Sequence, residues 1–256
     1  VLTTKYIAGV PNWLDLGSPD PDTAATFYRE VFGWDTRDAD PGGYTYFTHD
    51  DAIVAALGPL TEDDADPAWT VYFHTDDPDG IATAAEHADG EIRLAPTDLP
   101  GGGRIAALTD PQGARFAVLR PADDHGGLDK VGAPAALCWV QLSSCDAAAF
   151  AFYRDVFEWR TEAFEVPGTS YTLLAPADSD PKQAAFGHEQ LAQGEPAHWL
   201  PYFWVEDVDT TLTTIEHHGG TILRPATDAA YLGPIAIAAD PSGARFALTT
   251  PKPVRD

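Results

Sequence analysis

The sequence predicts an α+β protein built from four βαβββ modules, two in each half of the chain. Ordered internal repetition is the first sign of this. The block Phe27 to Trp34 (FYREVFGW) returns as Phe152 to Trp159 (FYRDVFEW), and Asp110 to Ala117 (DPQGARFA) returns as Asp240 to Ala247 (DPSGARFA). Between them, Tyr72 to Asp77 (YFHTDD) answers Tyr202 to Asp207 (YFWVED), and Asn12 to Leu16 (NWLDL) answers Cys138 to Leu142 (CWVQL). Four matches in one order, at nearly constant offset, mark a duplicated chain. The second sign is a rhythm of short strands and single helices within each copy.

The elements follow from periodicity and punctuation. Asn12 to Leu16 reads as a short strand. Pro21-Asp22 starts a helix whose Ala24, Ala25, Phe27, Tyr28, Val31 and Phe32 recur at helical spacing. Short strands are expected near Tyr44–Thr48 and Ile53–Leu57. The second module opens with a strand over Trp69–Thr75, then a helix from Pro78 to His87, ended by Gly90. Strands over Ile92–Ala95, Arg104–Thr109 and Arg115–Leu119 complete it, with Asp110-Pro111-Gln112-Gly113 turning between the last two. The second copy repeats this order. The copies are expected over residues 9–121 and 132–251, joined by a polar, Gly-containing linker at 122–131.

Composition narrows the partners. With 256 residues, 44% of them hydrophobic, the chain can bury a real core. Forty acidic against 15 basic residues give a net charge of −25. Such a surface repels nucleic acid and anionic membranes, so neither is an expected partner. No apolar run approaches the roughly 18 residues of a membrane span. The opening Val1 to Val10 is too short and polar for a secretory signal, so a cytoplasmic location is expected. The two cysteines, Cys138 and Cys145, form no metal-type pair and read as reduced thiols.

The helix reading FY…VFGW, the strand followed by Asp76-Asp77-Pro78-Asp79 or Glu206-Asp207-Val208-Asp209, and the two DPxG turns together resemble the vicinal-oxygen-chelate superfamily. That superfamily comprises glyoxalase, bleomycin-resistance and extradiol-dioxygenase proteins. The resemblance spans nearly the whole chain and is closest to a two-domain branch labelled hydroxylase or glyoxalase-like. It implies tandem domains whose paired modules curve into cup-shaped sheets. Metal-using members take ligands from the first, fifth and eighth strands. Carried onto this chain, those positions fall on Trp13, Thr70 and Ala117, and in the second copy on Trp139, Leu200 and Ala247. Five of the six offer no usable donor, and Thr70 is weak, so no metal and no other cofactor is expected.

Strand alternation then sets the candidate site. The resemblance turns Trp13, Asp15, Tyr72, His74 and Arg115 toward one cup, and Trp139, Gln141, Tyr202, Trp204 and Arg245 toward the other. The helix aromatics Phe27, Tyr28, Phe152 and Tyr153 should pack on the opposite face. Aromatic rings with isolated polar groups suit a small, flat hydrophobic or aromatic metabolite, bound by a monomer or homodimer. The alternative is a metal-independent enzyme on such a molecule, with Asp15 or His74 as the acid–base group. A glyoxalase- or dioxygenase-type metal enzyme ranks third. The glycine-rich stretch Pro100 to Arg104 follows no nucleotide-binding pattern and is expected to be a flexible lip.

Overall fold

A computed structural model describes residues 2–39, 44–60, 65–122, 126–145, 149–166, 169–177, 179, 186–191, 194–229 and 233–251. His125 of the linker lies outside them. The first copy contains β1 (Pro11–Ser18), α1 (Pro21–Phe32), β2 (Asp35–Asp38), β3 (Thr45–His49) and β4 (Ala52–Pro59). It continues with β5 (Ala68–His74), α2 (Pro78–His87), β6 (Glu91–Asp98), β7 (Arg104–Thr109) and β8 (Arg115–Arg120). The second contains β9 (Leu137–Ser144), α3 (Ala149–Phe157), β10 (Arg160–Val166), β11 (Thr169–Ala175) and β12 (Phe186–Gln190). It closes with β13 (His198–Trp204), α4 (Val208–His217), β14 (Thr221–Ala229), β15 (Gly233–Ala239) and β16 (Arg245–Thr249). The four βαβββ modules of the α+β reading are therefore present. The sequence pattern missed β2, an all-exposed edge strand with no apolar alternation.

Each copy forms one mixed, curved eight-stranded sheet. The order is β2-β3-β4-β1-β5-β8-β7-β6 in the first and β10-β11-β12-β9-β13-β16-β15-β14 in the second. Strands β1 and β4 run parallel, as do β5 and β8, while the hairpins are antiparallel. Pro100 to Gly103 is the turn of the β6–β7 hairpin, where Leu99 N–H donates to the Gly103 carbonyl at 2.7 Å.

The helices start where their capping chemistry dictates. Asp20 accepts the Thr23 N–H at 3.0 Å to open α1, and Asp207 accepts the Thr210 N–H at 2.7 Å to open α4. Those backbone bonds hold both carboxyls below their ordinary pKa. Gly33 ends α1 in the left-handed region at φ 70°. Gly90, after α2, has a different necessity: a Cβ there would meet the Phe152 ring at 2.7 Å and the Thr109 carbonyl oxygen at 3.0 Å.

Contacts divide the chain into two compact units, and each draws on both copies. One consists of Val1–Trp13, Thr70–Gly127 and Trp139–Leu200; the other of Leu14–Trp69, Leu128–Cys138 and Pro201–Asp256. In the first unit, Phe73 of β5 packs edge-on against Trp159 and Trp199, at 5.1 and 5.0 Å between ring centroids. Phe116 of β8 packs against Phe152 and Tyr153 of α3. In the second unit, Phe32 of α1 lies 5.1 Å from Phe203 of β13, and Tyr28 lies 5.8 Å from Phe246 of β16. The helix aromatics are thus core residues, buried against strands of the other copy.

The sequence between the copies is structured where it is described. In the first unit the Gly126 carbonyl accepts from Asn12 Nδ2 at 2.8 Å. In the second, Leu128 is fully buried, Asp129 exchanges backbone and side-chain bonds with Ile53, and Lys130 Nζ lies 2.6 Å from His49 Nδ1.

Candidate functional site

Alternation along β1 and β5 separates a core face from an accessible one. On β5, Trp69, Val71 and Phe73 are buried, while Thr70, Tyr72 and His74 are half-buried. On β1, Asn12, Leu14 and Leu16 are buried, while Trp13, Asp15 and Gly17 are half-buried. The parallel register sets Tyr72 beside Ala117 and His74 beside Leu119, so these four share a face.

In the first unit His74 is held from several sides. Asn12 Nδ2 lies 3.3 Å from its Nδ1, and Asp76 Oδ1 lies 3.7 Å from its Nε2. Burial pushes the imidazole pKa down, against the opposing pull of Asp76 and the Gly126 carbonyl, so the ring is neutral at pH 7. Asn12 is itself 1% exposed, and among the described residues its buried Oδ1 has no hydrogen-bond partner. A Cβ on Gly127 would run into the Asn12 carbonyl oxygen, so glycine is required where the chain crosses this strand.

In the second unit, Asp15 Oδ2 lies 3.5 Å from the Tyr44 hydroxyl. Tyr44 and Tyr46 pack edge-to-face with centroids 6.1 Å apart. The Arg37 guanidinium sits over the Tyr46 ring at 5.7 Å.

The matching face of the second copy is more tightly filled. Within the first unit, Trp139 Nε1 donates to the Tyr171 hydroxyl at 3.1 Å, which donates to Gln141 Oε1 at 3.1 Å. Gln141 Nε2 then donates to Glu189 Oε2 at 2.6 Å. Burial raises the Tyr171 hydroxyl pKa, so it stays a neutral donor. Tyr171 lies so close over Gly187 that no Cβ fits there. Trp139 is half-buried, but Gln141 is 4% and Leu200 1% exposed. In the second unit Tyr202 is buried, pairs with Ala247, and its carbonyl accepts from Cys138 Sγ. Burial pushes that thiol up to about 12, so it carries no thiolate at neutral pH. Trp204 is half-buried beside Thr249.

Arg115 and Arg245 lie exposed at the starts of β8 and β16, paired with Thr109 and Ala239. The sequence reading missed Asn12, Tyr44, Tyr171, Glu189 and Arg37. The signal available for the tyrosines was their recurrence at matching places beside Asp15 and Gln141.

The six family ligand positions do not fit a metal. The Trp13 and Trp139 indoles donate but have no lone pair to give, and Leu200, Ala117 and Ala247 are buried hydrocarbon. Thr70 offers only a hydroxyl. Among the described residues, no three His, Cys, Asp or Glu side chains group closely enough to hold an ion.

The DPxG and FY marks have a structural use. In the second unit, Trp69 Nε1 donates to the Tyr28 hydroxyl at 3.0 Å, which donates to Asp240 Oδ2 at 3.3 Å. Asp240 Oδ1 accepts from the Ser242 and Ala244 N–H groups. The first unit repeats the chain through Trp199, Tyr153 and Asp110, at 2.9 and 3.0 Å. The tyrosine of one copy is therefore tied to the turn of the other.

Tandem βαβββ modules with paired sheets define the class. A family model for the glyoxalase/bleomycin resistance protein/dioxygenase superfamily matches residues 10–118 and 141–248, and the chain belongs to that family. It is 34% identical to the anthracycline biosynthesis protein DauV of Streptomyces sp. (strain C5), over 96% of this chain and 94% of that protein. It is 30% identical to CFP32 of Mycobacterium tuberculosis (strain CDC 1551 / Oshkosh), whose glyoxylase name is provisional, over 98% of each. A Mn(II)-bound glyoxalase from Novosphingobium aromaticivorans has the same fold, with a TM-score of 0.65 at 18% identity, covering 95% of this chain and 83% of that one. No helix among the described residues is long and apolar enough to cross a membrane.

Proposed function

We propose that the first copy binds a small, planar hydrophobic or aromatic metabolite against the accessible face of its sheet. The observation that carries this reading is the half-buried row Thr70, Tyr72 and His74 on β5, alternating with fully buried Trp69, Val71 and Phe73. Trp13 and Tyr72 supply ring surface, and His74 supplies a neutral polar group to orient the ligand. The corresponding Leu200 and Tyr202 of the second copy are buried, which favours the first copy as the binding one. The biosynthetic role in the name of DauV is in keeping with an aromatic natural-product ligand.

Mass spectrometry of the natively purified protein should find such a molecule retained. Trp13→Ala should weaken its binding by about 1–3 kcal/mol, the range for a large stacked side chain. A protein that retains no small molecule and binds none from an aromatic panel would refute the reading.

His74 favours a second reading, a metal-independent enzyme. A half-buried imidazole with a lowered pKa is a competent proton acceptor at neutral pH. Asp15 is the other titratable candidate. Under this reading His74→Gln or Asp15→Asn abolishes turnover of the retained molecule while leaving its affinity nearly intact. Retained ligand recovered unchanged after long incubation with oxygen, water and common cosubstrates would argue for binding alone.

A further inference from the structure

We infer that the β2–β3–β4–β1 part of the first copy carries a site for an aromatic carboxylate, with Arg37 reading the carboxylate and the Tyr44–Tyr46 pair taking the ring. The inference stands on its own residues, all within the second compact unit. Backbone register aligns Arg37 with Tyr46, Tyr46 with Ala56, and Ala56 with Asp15. Directly opposed residues point to the same side of a sheet, so this row lies on one face. That face is the one carrying Asp15, opposite the core side of β1.

Three features make Arg37 more than a surface charge. Its guanidinium sits over the Tyr46 ring at 5.7 Å, a cation–π contact, and a guanidinium held in such a contact can still offer its N–H fork to a carboxylate. Among the described residues it has no carboxylate partner, in a chain with 40 acidic residues. Arg104, by contrast, is bound by both Asp79 and Asp98 at 2.7–2.8 Å. The row also has a direction. Arg37 stands at one end and the Asp15 carboxylate, 3.5 Å from the Tyr44 hydroxyl, at the other, so an anionic group is drawn to the Arg37 end and repelled from the opposite one.

The duplicated copy supplies an internal contrast. The equivalent row there reads Glu162, Leu173, Gly187, Gln141. The cation is replaced by an exposed carboxylate, and the tyrosine by leucine. Carboxylate recognition therefore belongs to the first copy alone.

The test uses 2-naphthoate and its neutral isostere 2-naphthamide, titrated calorimetrically into the full chain at low salt. Naphthoate should bind at least about ten-fold more tightly than the amide, as expected of a charge-assisted, two-pronged contact. Arg37→Ala should bring naphthoate down to the level of the amide and leave the amide unchanged. Arg37→Glu, which copies Glu162, should reverse the preference. Arg37 is exposed on an edge strand, and far-ultraviolet circular dichroism will show that the variants fold. Equal binding of the two probes, failure of naphthoate to bind, or a preference that survives Arg37→Ala would each overturn the inference. Retention of a neutral aromatic molecule sensitive to Trp13→Ala would still uphold the reading in the previous section, so the two fail separately.

Discussion

The phenol of Tyr28 accepts from the Trp69 indole and donates to the Asp240 carboxylate, and Tyr153 does the same between Trp199 and Asp110. Both phenols are fully buried, and burial raises their pKa far above the ordinary value, so they donate as neutral groups. Tyr28→Phe or Tyr153→Phe leaves a buried indole N–H and a carboxylate oxygen unpaired. Each should destabilise the protein by about 1–3 kcal/mol in urea denaturation, without changing the fold. The histidines make a second prediction at this scale. Burial lowers the pKa of His74 and of His188, whose Nε2 lies 2.8 Å from the buried Ser144 hydroxyl. Their contribution to stability is complete above the unfolded value of about 6.5. Below it the unfolded chain takes up protons that the folded rings refuse, so stability falls until the folded pKa is reached. The urea midpoint should drop between pH 7.5 and 5.5, and His74→Gln or His188→Gln should each make that drop shallower. An unchanged slope in both variants would contradict the assignment.

At the scale of elements, apolar periodicity made most of the fold legible. Helix α2 was expected from Pro78 to His87 and occupies those residues, because proline, an Asp77 cap and a buried Ala82–Ala85 stripe all act locally. Strand β2 was not legible, since Asp-Thr-Arg-Asp has no buried face and is strand only through its ladder with β3. Arg37 was missed for the same reason: a residue on an unrecognised strand has no face to be assigned to. Tyr171 and Glu189 were missed because hydrogen bonds between β9, β11 and β12 depend on register, which alternation along one strand does not reveal. Gly187 is the element-scale test. Alanine there would collide with the Tyr171 hydroxyl and should cost about 1–3 kcal/mol by overpacking. It should also break the Trp139–Tyr171–Gln141 chain, seen as a change in tryptophan fluorescence. A fully stable variant with unaltered emission would show that Tyr171 can move aside freely.

For the molecule as a whole, duplication was visible in the sequence but the partnership between copies was not. Both copies carry the same FY helix and the same DPxG turn, so the motifs cannot say whether Tyr28 meets the turn of its own copy or of the other. The structure pairs it with Asp240, and Tyr153 with Asp110. It likewise builds each compact unit from strands of both copies, with Phe73 against Trp199 in one and Phe32 against Phe203 in the other. The physical consequence concerns independence. A chain cut between the copies would expose Phe27, Tyr28, Phe32, Phe73 and Phe116, each fully or nearly fully buried in the intact protein. Burial of such rings contributes roughly 1.5–3 kcal/mol apiece, comparable in sum to the whole stability of a small domain. Residues 1–121 and 132–256 expressed separately should therefore lack cooperative unfolding, bind hydrophobic dye, and aggregate or self-associate. Mixed during refolding, they should regain near-ultraviolet dichroism and elute together as one complex. A fragment that is monomeric and unfolds cooperatively by itself would show that a single copy can close its own core, and that the exchanged contacts are dispensable for folding.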